Sequence, residues 1–451
     1  MSAQAFGARG TGSFPRGIHP AQAKHHSAAA ALEVLPPPAR VEIPLLQHLG
    51  APATAAVKPR DPVAWGTVLG VASGFVSASV HSPLGGKVVR LGVTTLPNGR
   101  HVPTVAVAAE GEQVAGQALW EALYGGPWPT AGLDELTPEA IGAVVREAGL
   151  VGQGGAAFPT HVKLTPNPAK PVDTVLVNGC ECEPFLTADD RLMREAPAPI
   201  VAGALLAARA AGARQVVIGV EDNKPEAVAA LRAAAEGTGV VVQSVRTKYP
   251  QGGERQLVLS VVGRIVPTGG LPLDVGVVVV NVGTAAAIAA AVLRGRPLTH
   301  RVVAVTGPGV VRPANLLVPI GVSYREVLDF CGGLRPEAVR VLSGGPMMGL
   351  AVGDLATPVT KGTSGITVLT AREVRKAAET ACVRCGRCGE ACPLGLVPTR
   401  LALASRHRDW ALARRYHIQA CIECGCCAYV CPAAIPLTQL IRMGKAMLPK
   451  E

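Results

Sequence analysis

Cys382-Val383-Arg384-Cys385-Gly386-Arg387-Cys388-Gly389-Glu390-Ala391-Cys392-Pro393 and Cys421-Ile422-Glu423-Cys424-Gly425-Cys426-Cys427-Ala428-Tyr429-Val430-Cys431-Pro432 are two copies of one pattern, C-x2-C-x2-C-x3-C-P. Eight of the chain's twelve cysteines make it. The spacing is that of two [4Fe–4S] clusters. Three thiolates on a tight curl of backbone reach three corners of one cube, and the fourth crosses to the other. The pattern therefore groups Cys382, Cys385, Cys388 and Cys431 on one cluster, and Cys421, Cys424, Cys427 and Cys392 on its neighbour. A chain so equipped moves single electrons.

Other uses of these cysteines fit less well. Disulfides need an oxidising compartment, and no secretory signal supports one. Zinc takes paired C-x2-C knuckles and has no use for a regular triplet with a distant fourth cysteine before proline. Cys426, inside the second run, reads as a small buried thiol, and Cys331 as a core residue.

The 451 residues suggest three or four domains, and 49% hydrophobic residues are ample for their cores. The formal net charge is +11. An aromatic content of 3% and the lack of any basic run argue against nucleic acid as partner. A basic surface also suits an acidic redox protein or an anionic membrane face. The longest charge-free apolar stretch, 275–293, is interrupted by Asn281, Gly283 and Thr284. It is better explained by a strand at 277–280, a turn and an Ala-rich helix than by a membrane span. Residues 1–32 read as a flexible N-terminal arm without a targeting signal. A cytoplasmic protein that meets a membrane only through partners is expected.

Along the chain the texture changes several times. Residues 36–100 carry short β-rich segments at 41–46, 57–70 and 75–91, with turns such as Pro97-Asn98-Gly99. The stretch Val80-His81-Ser82-Pro83-Leu84-Gly85-Gly86-Lys87-Val88-Val89 resembles the hairpin of lipoyl-type barrels, with Lys87 as a structural lysine. A lipoyl-like barrel-sandwich hybrid is therefore expected at 33–125. Beyond residue 130 strands alternate with helices. Thr137-Pro138-Glu139 starts a helix that stops near Gly149. Strands are predicted at 172–177, 215–220 and 240–245, and helices at 200–211 and 225–235, which argues for a largely parallel sheet covered by helices over 126–300. Short strands return over 301–370. A helical linker near 371–380 then leads to the cluster domain, 371–451, with another helix at 398–416.

Leu150-Val151-Gly152-Gln153-Gly154-Gly155-Ala156-Ala157-Phe158-Pro159-Thr160-His161-Val162-Lys163 is the second chemical feature. Glycines let backbone N–H groups approach a phosphate, and Lys163 supplies charge. No Gly-Lys-Ser/Thr follows, so it is not a Walker loop. The helix precedes the glycines, so it is not the Rossmann fingerprint.

This string resembles the flavin loop of the RnfC family of Rnf electron transport complexes, shared with the NADH-binding flavoprotein subunit of respiratory complex I. Val177-Asn178-Gly179-Cys180-Glu181-Cys182-Glu183-Pro184 is similar to that family's flavin and nicotinamide motif. Tyr249-Pro250-Gln251-Gly252-Gly253-Glu254 and Asn281-Val282-Gly283-Thr284 resemble two further motifs, and Ile18-His19-Pro20 an N-terminal signature. The resemblance runs from about residue 14 to about residue 440. It implies a multidomain α/β and α+β chain: barrel-sandwich hybrid, α/β flavin-binding domain, β-grasp module of the soluble-ligand-binding (SLBB) type, and bacterial-ferredoxin-like cluster domain.

By the same resemblance, Gly152, Gly154, Gly155 and Lys163 hold the phosphate and ribityl chain of a noncovalent FMN. Asn178, Asn281 and Thr284 contact the flavin, and Glu181 and Glu183 stand near the isoalloxazine and nicotinamide as the catalytic pair. Phe158, Tyr249 and Glu254 are further cofactor-binding candidates. Cys180 and Cys182 are expected to be inert thiols. The implied role is the peripheral NAD-side subunit of an ion-translocating complex, on the cytoplasmic face of the bacterial inner membrane. It would pass electrons between NAD(H), FMN, two clusters and a ferredoxin-like iron–sulfur subunit. A soluble FMN/iron–sulfur reductase, such as the cobalamin reductase of bacterial microcompartments, shares these parts. It places its flavin loop before its barrel, whereas here the barrel comes first.

Overall fold

The computed structural model describes residues 10–374 and 377–449. At its centre is a fully parallel sheet of four strands, Thr174–Gly179, Gln215–Glu221, Val241–Val245 and Val277–Asn281. These are the valine-rich runs, and β-branched side chains buried on both faces suit a covered parallel sheet. One face carries the helices Pro138–Glu147, Ala188–Glu195, Pro197–Ala211, Pro225–Ala235 and Val282–Arg294. The other is closed by Leu257, Val258 and Val261 against Leu176, Val217 and Val279. Small residues let two of the helices touch backbones: a Cβ on Gly203 would stand 1.7 Å from the Ala285 carbonyl oxygen.

The third strand in sequence lies at the edge, followed in space by the second, the first and the fourth. The winding therefore reverses between Thr174–Gly179 and Val277–Asn281. The crevice beyond the carboxyl ends at such a reversal is where open α/β sheets take ligands. The turn expected after residue 280 is absent, because the Val282–Arg294 helix starts directly from Asn281, whose side chain caps it.

The barrel-sandwich consists of two small sheets, one of four strands and one of three, packed around Val41, Ile43, Leu69, Val80, Val105 and Val107. Its strand His101–Ala109 extends the β-rich region past residue 100. The helix Gly116–Leu123 buries Leu119 and Leu123 in the core of the α/β unit. By packing it belongs to that unit, although the expected barrel reaches residue 125.

The β-grasp unit is a six-stranded sheet with the helix Tyr324–Phe330, which Ser323 and Glu326 start through a reciprocal capping box. Its edge strand is Leu32–Val34, parallel to Asn315, Leu316 and Leu317. Residues 10–34 are thus not a flexible arm. The Gly10 and Gly12 N–H groups donate to Val261 and Ser260, Ile18 pairs with Tyr249, and Lys24 Nζ donates to the carbonyls of Glu181, Glu183 and Leu186. These partners are mostly backbone groups, so no side-chain periodicity announces them. Residues 1–9, the start of the expected arm, lie outside the described residues.

Two helical expectations also change. Residues 371–374 form a turn and 377–380 have no regular structure, while 375–376, in the middle of the expected linker helix, lie outside the described residues. The helix expected over 398–416 is two, Pro398–His407 and Trp410–Arg415. Arg408 is left-handed between them, and the Asp409 side chain caps the second.

Lys361 ties three units together. It is 1% exposed, and its Nζ donates to Ser79 O of the barrel and Gly149 O of the α/β unit, each at 2.6 Å. Burial without a carboxylate partner lowers it from 10.5 to about 7. Between those values the unfolded chain holds more protons than the folded one. Lys361 therefore makes stability rise with pH through that window, and its effect is flat below it. Lys361→Met is expected to flatten the rise and, at pH 9, to cost about 1–3 kcal/mol by leaving two buried carbonyls without a donor. Urea midpoints at pH 7, 8 and 9 measure both.

Candidate functional site

The glycine loop stands at the crevice. Thr137 Oγ1 accepts from the Ala140 N–H at 3.2 Å and opens the preceding helix, which ends before a left-handed Gly149. The Gly152 N–H then donates to Phe158 O at 2.8 Å and closes the loop. Its root is fixed: the Gln153 N–H donates to Thr284 Oγ1 at 2.9 Å, and buried Arg301 donates to Gln153 O at 3.1 Å. Its tip, Gly154, Gly155 and Ala156, is exposed, and Gly155 has a φ of +103°. Gln153 Nε2 is a buried donor with no acceptor in the protein.

Asn178 and Asn281 are register partners at the ends of the two strands where the winding reverses. Asn178 Nδ2 donates to Gly252 O at 2.8 Å, and Asn281 Nδ2 donates to Asp189 Oδ2 at 2.6 Å. Lys163 Nζ pairs with the Glu254 carboxylate and donates to Val279 O at 3.2 Å. Glu181, itself left-handed, accepts the N–H groups of Asp189 and Asp190 at 2.8 and 3.1 Å. It thereby caps the Ala188–Glu195 helix from outside. Burial pushes its carboxyl up to about 7 and raises Asp189 as well. Beside them Lys224 Nζ donates to Cys180 O and Glu221, at 2.6 and 3.0 Å. Burial alone would lower Lys224, but the Glu221 carboxylate holds it above its ordinary value.

Of the residues expected around the flavin, Gly152, Gly154, Gly155, Lys163, Asn178, Glu181, Glu254, Asn281 and Thr284 surround this crevice. Phe158 is half-buried, and its backbone closes the loop. Sequence reasoning passes over Gln153, Asp189, Lys24, Lys224 and Arg301. Asp189 follows the acidic motif by five residues, which is its one signal. The others owe their positions to chain segments brought from far away.

Glu183 and Tyr249 lie at the seam with the cluster domain. The Glu183 carboxylate accepts the N–H groups of Met347 and Met348 at 3.1 and 2.8 Å. The hydroxyl of fully buried Tyr249 donates to Cys424 O at 2.7 Å. Cys180 is fully buried and Cys182 half-buried, and burial raises both thiols above their ordinary value.

Cys392, Cys421, Cys424, Cys426 and Cys427 line one small cavity, together with Leu396, Leu401, Ile422 and Ile441. The lining joins one cysteine of the first run to four of the second; the Cys426 thiol donates to Tyr249 O at 4.0 Å, which leaves Cys392 with Cys421, Cys424 and Cys427 as the crossed set. Cys388 and Cys431 are buried near one another, while Cys382 and Cys385 are exposed.

These residues fit the groups they are expected to hold. The loop tip offers free backbone N–H groups beside the start of a thirteen-residue helix, Val282–Arg294, and the orphan donor on Gln153 awaits an acceptor. The thiol-lined cavity has the donor set of a cubane.

Four known domain families match successive parts of the chain. Residues 12–112 match the family described as the RnfC barrel sandwich hybrid domain, 145–290 the Nuo51 FMN-binding domain, 302–351 the SLBB domain and 378–435 the 4Fe-4S dicluster domain. The chain is 42% identical to the C component of the proton-translocating ferredoxin:NAD(+) oxidoreductase complex of Clostridium ljungdahlii, over 87% of this chain and 84% of that one. It is 41% identical to the Na(+)-translocating counterpart of Acetobacterium woodii, over 88% of each. It is also 41% identical to the C component of the ion-translocating oxidoreductase complex of Rhodobacter capsulatus, over 99% and 84%. An NAD+-reducing [NiFe]-hydrogenase structure in the H2-reduced state superimposes with a TM-score of 0.51 at 22% identity, over 73% of this chain and 67% of that one, a likeness of fold.

Proposed function

The chain belongs to the RnfC family, and we propose that the crevice described above is where it meets NAD(H), on the cytoplasmic face of the membrane. It is a subunit of an ion-translocating ferredoxin:NAD oxidoreductase, with FMN and two [4Fe–4S] clusters as cofactors and other Rnf subunits as partners. Bound FMN supplies the conversion between two-electron hydride chemistry and the one-electron chemistry of the clusters.

The chain's own residues do the placing. Gly152, Gly154 and Gly155 present backbone donors to the phosphate, with Lys163 as the adjoining cation. Asn178, Asn281 and Thr284 brace the crevice through hydrogen bonds within the protein. Glu181 orders the helix that carries Asp189, and Glu183 ties the flavin-side loop to the β-grasp unit. No side chain is required to move a proton to carbon. Cys382, Cys385, Cys388 and Cys431 hold one cluster, and Cys392, Cys421, Cys424 and Cys427 the other.

The observation that carries this reading is the joining of a pinned glycine loop, at the point where the sheet reverses, to a cysteine-lined cavity in the same chain. Peripheral attachment is supported by two facts. Among the described residues no helix is long and apolar enough to cross a membrane. The net charge of +11 suits the anionic cytoplasmic leaflet.

Anaerobic preparations are expected to hold one FMN and about eight irons per chain, and NADH should bleach the flavin. In vesicles, added NADH should do so only when the cytoplasmic face is outward. A chain without FMN, or one reached by NADH from the other face, would overturn the respective part.

A further inference from the structure

One short segment joins the flavin crevice to a cluster. Glu254 pairs with Lys163 below the glycine loop, and Gly252 O accepts from Asn178. Five residues before Glu254, the Tyr249 hydroxyl donates to Cys424 O at 2.7 Å. Three further contacts tie the segments around the turn that carries Cys424. Tyr249 exchanges two backbone hydrogen bonds with Ile18, each 2.9 Å, and the adjacent Gly17 N–H donates to Ala391 O beside Cys392. On the β-grasp side a Cβ on Gly425 would stand 2.8 Å from Met347 O, while the Met347 N–H is held by Glu183. Ile18, Tyr249, Cys182, Met347, Cys424 and Cys426 form one small apolar cluster that keeps water from the seam. Among the described residues no comparable clamp reaches Cys382 and Cys385, which are exposed.

We propose that the cluster held by Cys392, Cys421, Cys424 and Cys427 is the one next to the flavin, that the cluster of Cys382, Cys385, Cys388 and Cys431 is the outer one that meets the partner, and that Tyr249 is the positioning residue fixing the inner cluster. This rests on the reading above that FMN occupies the crevice. One electron at a time passes across the seam, and no bond forms or breaks at Tyr249, whose proton stays on the phenol. Its hydroxyl holds the Cys424 backbone, and with it the thiolate, at a set place relative to the glycine loop. A hydrogen bond that fixes a ligand-bearing turn also tunes the cluster it holds.

Tyr249→Phe removes one oxygen and keeps the packing. In the anaerobic holoprotein, FMN and iron contents and the rate at which NADH bleaches the flavin should match wild type. The following reduction of the inner cluster, read by rapid-freeze electron paramagnetic resonance, should slow by about fivefold or more. The midpoint potential of that cluster should shift while the other stays put. Amide exchange over 421–427 should quicken even without NADH. Unchanged rate, potentials and exchange would overturn the proposal, as would a shift confined to the exposed cluster. Loss of FMN from the variant would mark Tyr249 as a flavin ligand and overturn it too. A wild-type chain lacking FMN would instead sink the functional reading.

Discussion

Cys392→Ser is expected to abolish the same cluster as Cys421→Ser, and Cys431→Ser the cluster served by Cys382. Each variant should retain about four irons of the wild-type eight. Cys392 follows Cys388 by one helical turn in sequence, yet it shares a cavity with Cys421, Cys424 and Cys427. The geometry comes from the proline that follows each fourth cysteine, Pro393 and Pro432, which turns the chain away from its own run. Serine preserves size and offers an oxygen in place of the soft thiolate, so the protein should fold and only the cluster suffer. Flavin bleaching by NADH should survive in all three variants, because no cysteine ligand touches the glycine loop. Transfer to an external one-electron acceptor should fall close to background when Cys392 or Cys421 is replaced, since the inner cluster is then missing. Iron analysis with paramagnetic resonance of the reduced variants decides it. If Cys392→Ser erased the signal lost in Cys382→Ser, ligation would be uncrossed and the assignment of both sites would fail.

Why the crossing is legible in the sequence while the seam is not is a matter of what local sequence encodes. Cluster ligation is a spacing rule, and cysteines spaced in triplets before proline have few other uses. The parallel strands are legible for a similar reason, since Val277-Val278-Val279-Val280 can bury both faces only inside a covered sheet. The glycine loop stands out by composition, and its position at the reversal of the sheet is what makes it a site. The barrel preceding the flavin domain is legible from order alone, and the matched families at 12–112 and 145–290 lie in that order.

Tyr249 is a different case. Its neighbours in sequence, Gly252 and Glu254, face the crevice, and nothing in the string Tyr249-Pro250-Gln251-Gly252 says that the phenol turns toward Cys424, 175 residues away. Lys24 lies in a stretch with no periodic pattern, yet it donates to three carbonyls of the acidic loop. Burial lowers its affinity for a proton, while Glu181 and Glu221 nearby counter that. Such residues owe their roles to docking between units, which depends on contacts that no local window contains. The order of segment 10–34 is hidden on the same ground, because it resides in backbone pairing to Val261, Ser260, Tyr249 and the β-grasp edge.

Gly155→Ala should strip the flavin, and Gly154→Ala should not. The two glycines are neighbours at one exposed tip, but they are constrained differently. Gly155 holds a φ of +103° with open space around the position of a Cβ, so a side chain there meets no atom and the whole penalty is conformational. Holding an L-residue in that region costs about 1–3 kcal/mol, roughly five- to a hundredfold in affinity if the loop must keep its shape to bind. Gly154 has no such angle, and a Cβ on it would rest 3.5 Å from the Asn281 Cβ, an ordinary contact. Its replacement by alanine should change FMN affinity by less than about threefold. Reconstitution of the apoprotein followed by quenching of flavin fluorescence gives both constants. The irons, held by the cysteines of the cluster domain and not by the loop, serve as the internal control and should stay near eight in each variant. A loop that merely covers the crevice would tolerate the two changes alike, and equal affinities would show that its backbone does not hold the phosphate. A loop that cradles the phosphate must instead separate them, because only Gly155 takes a backbone angle that alanine avoids.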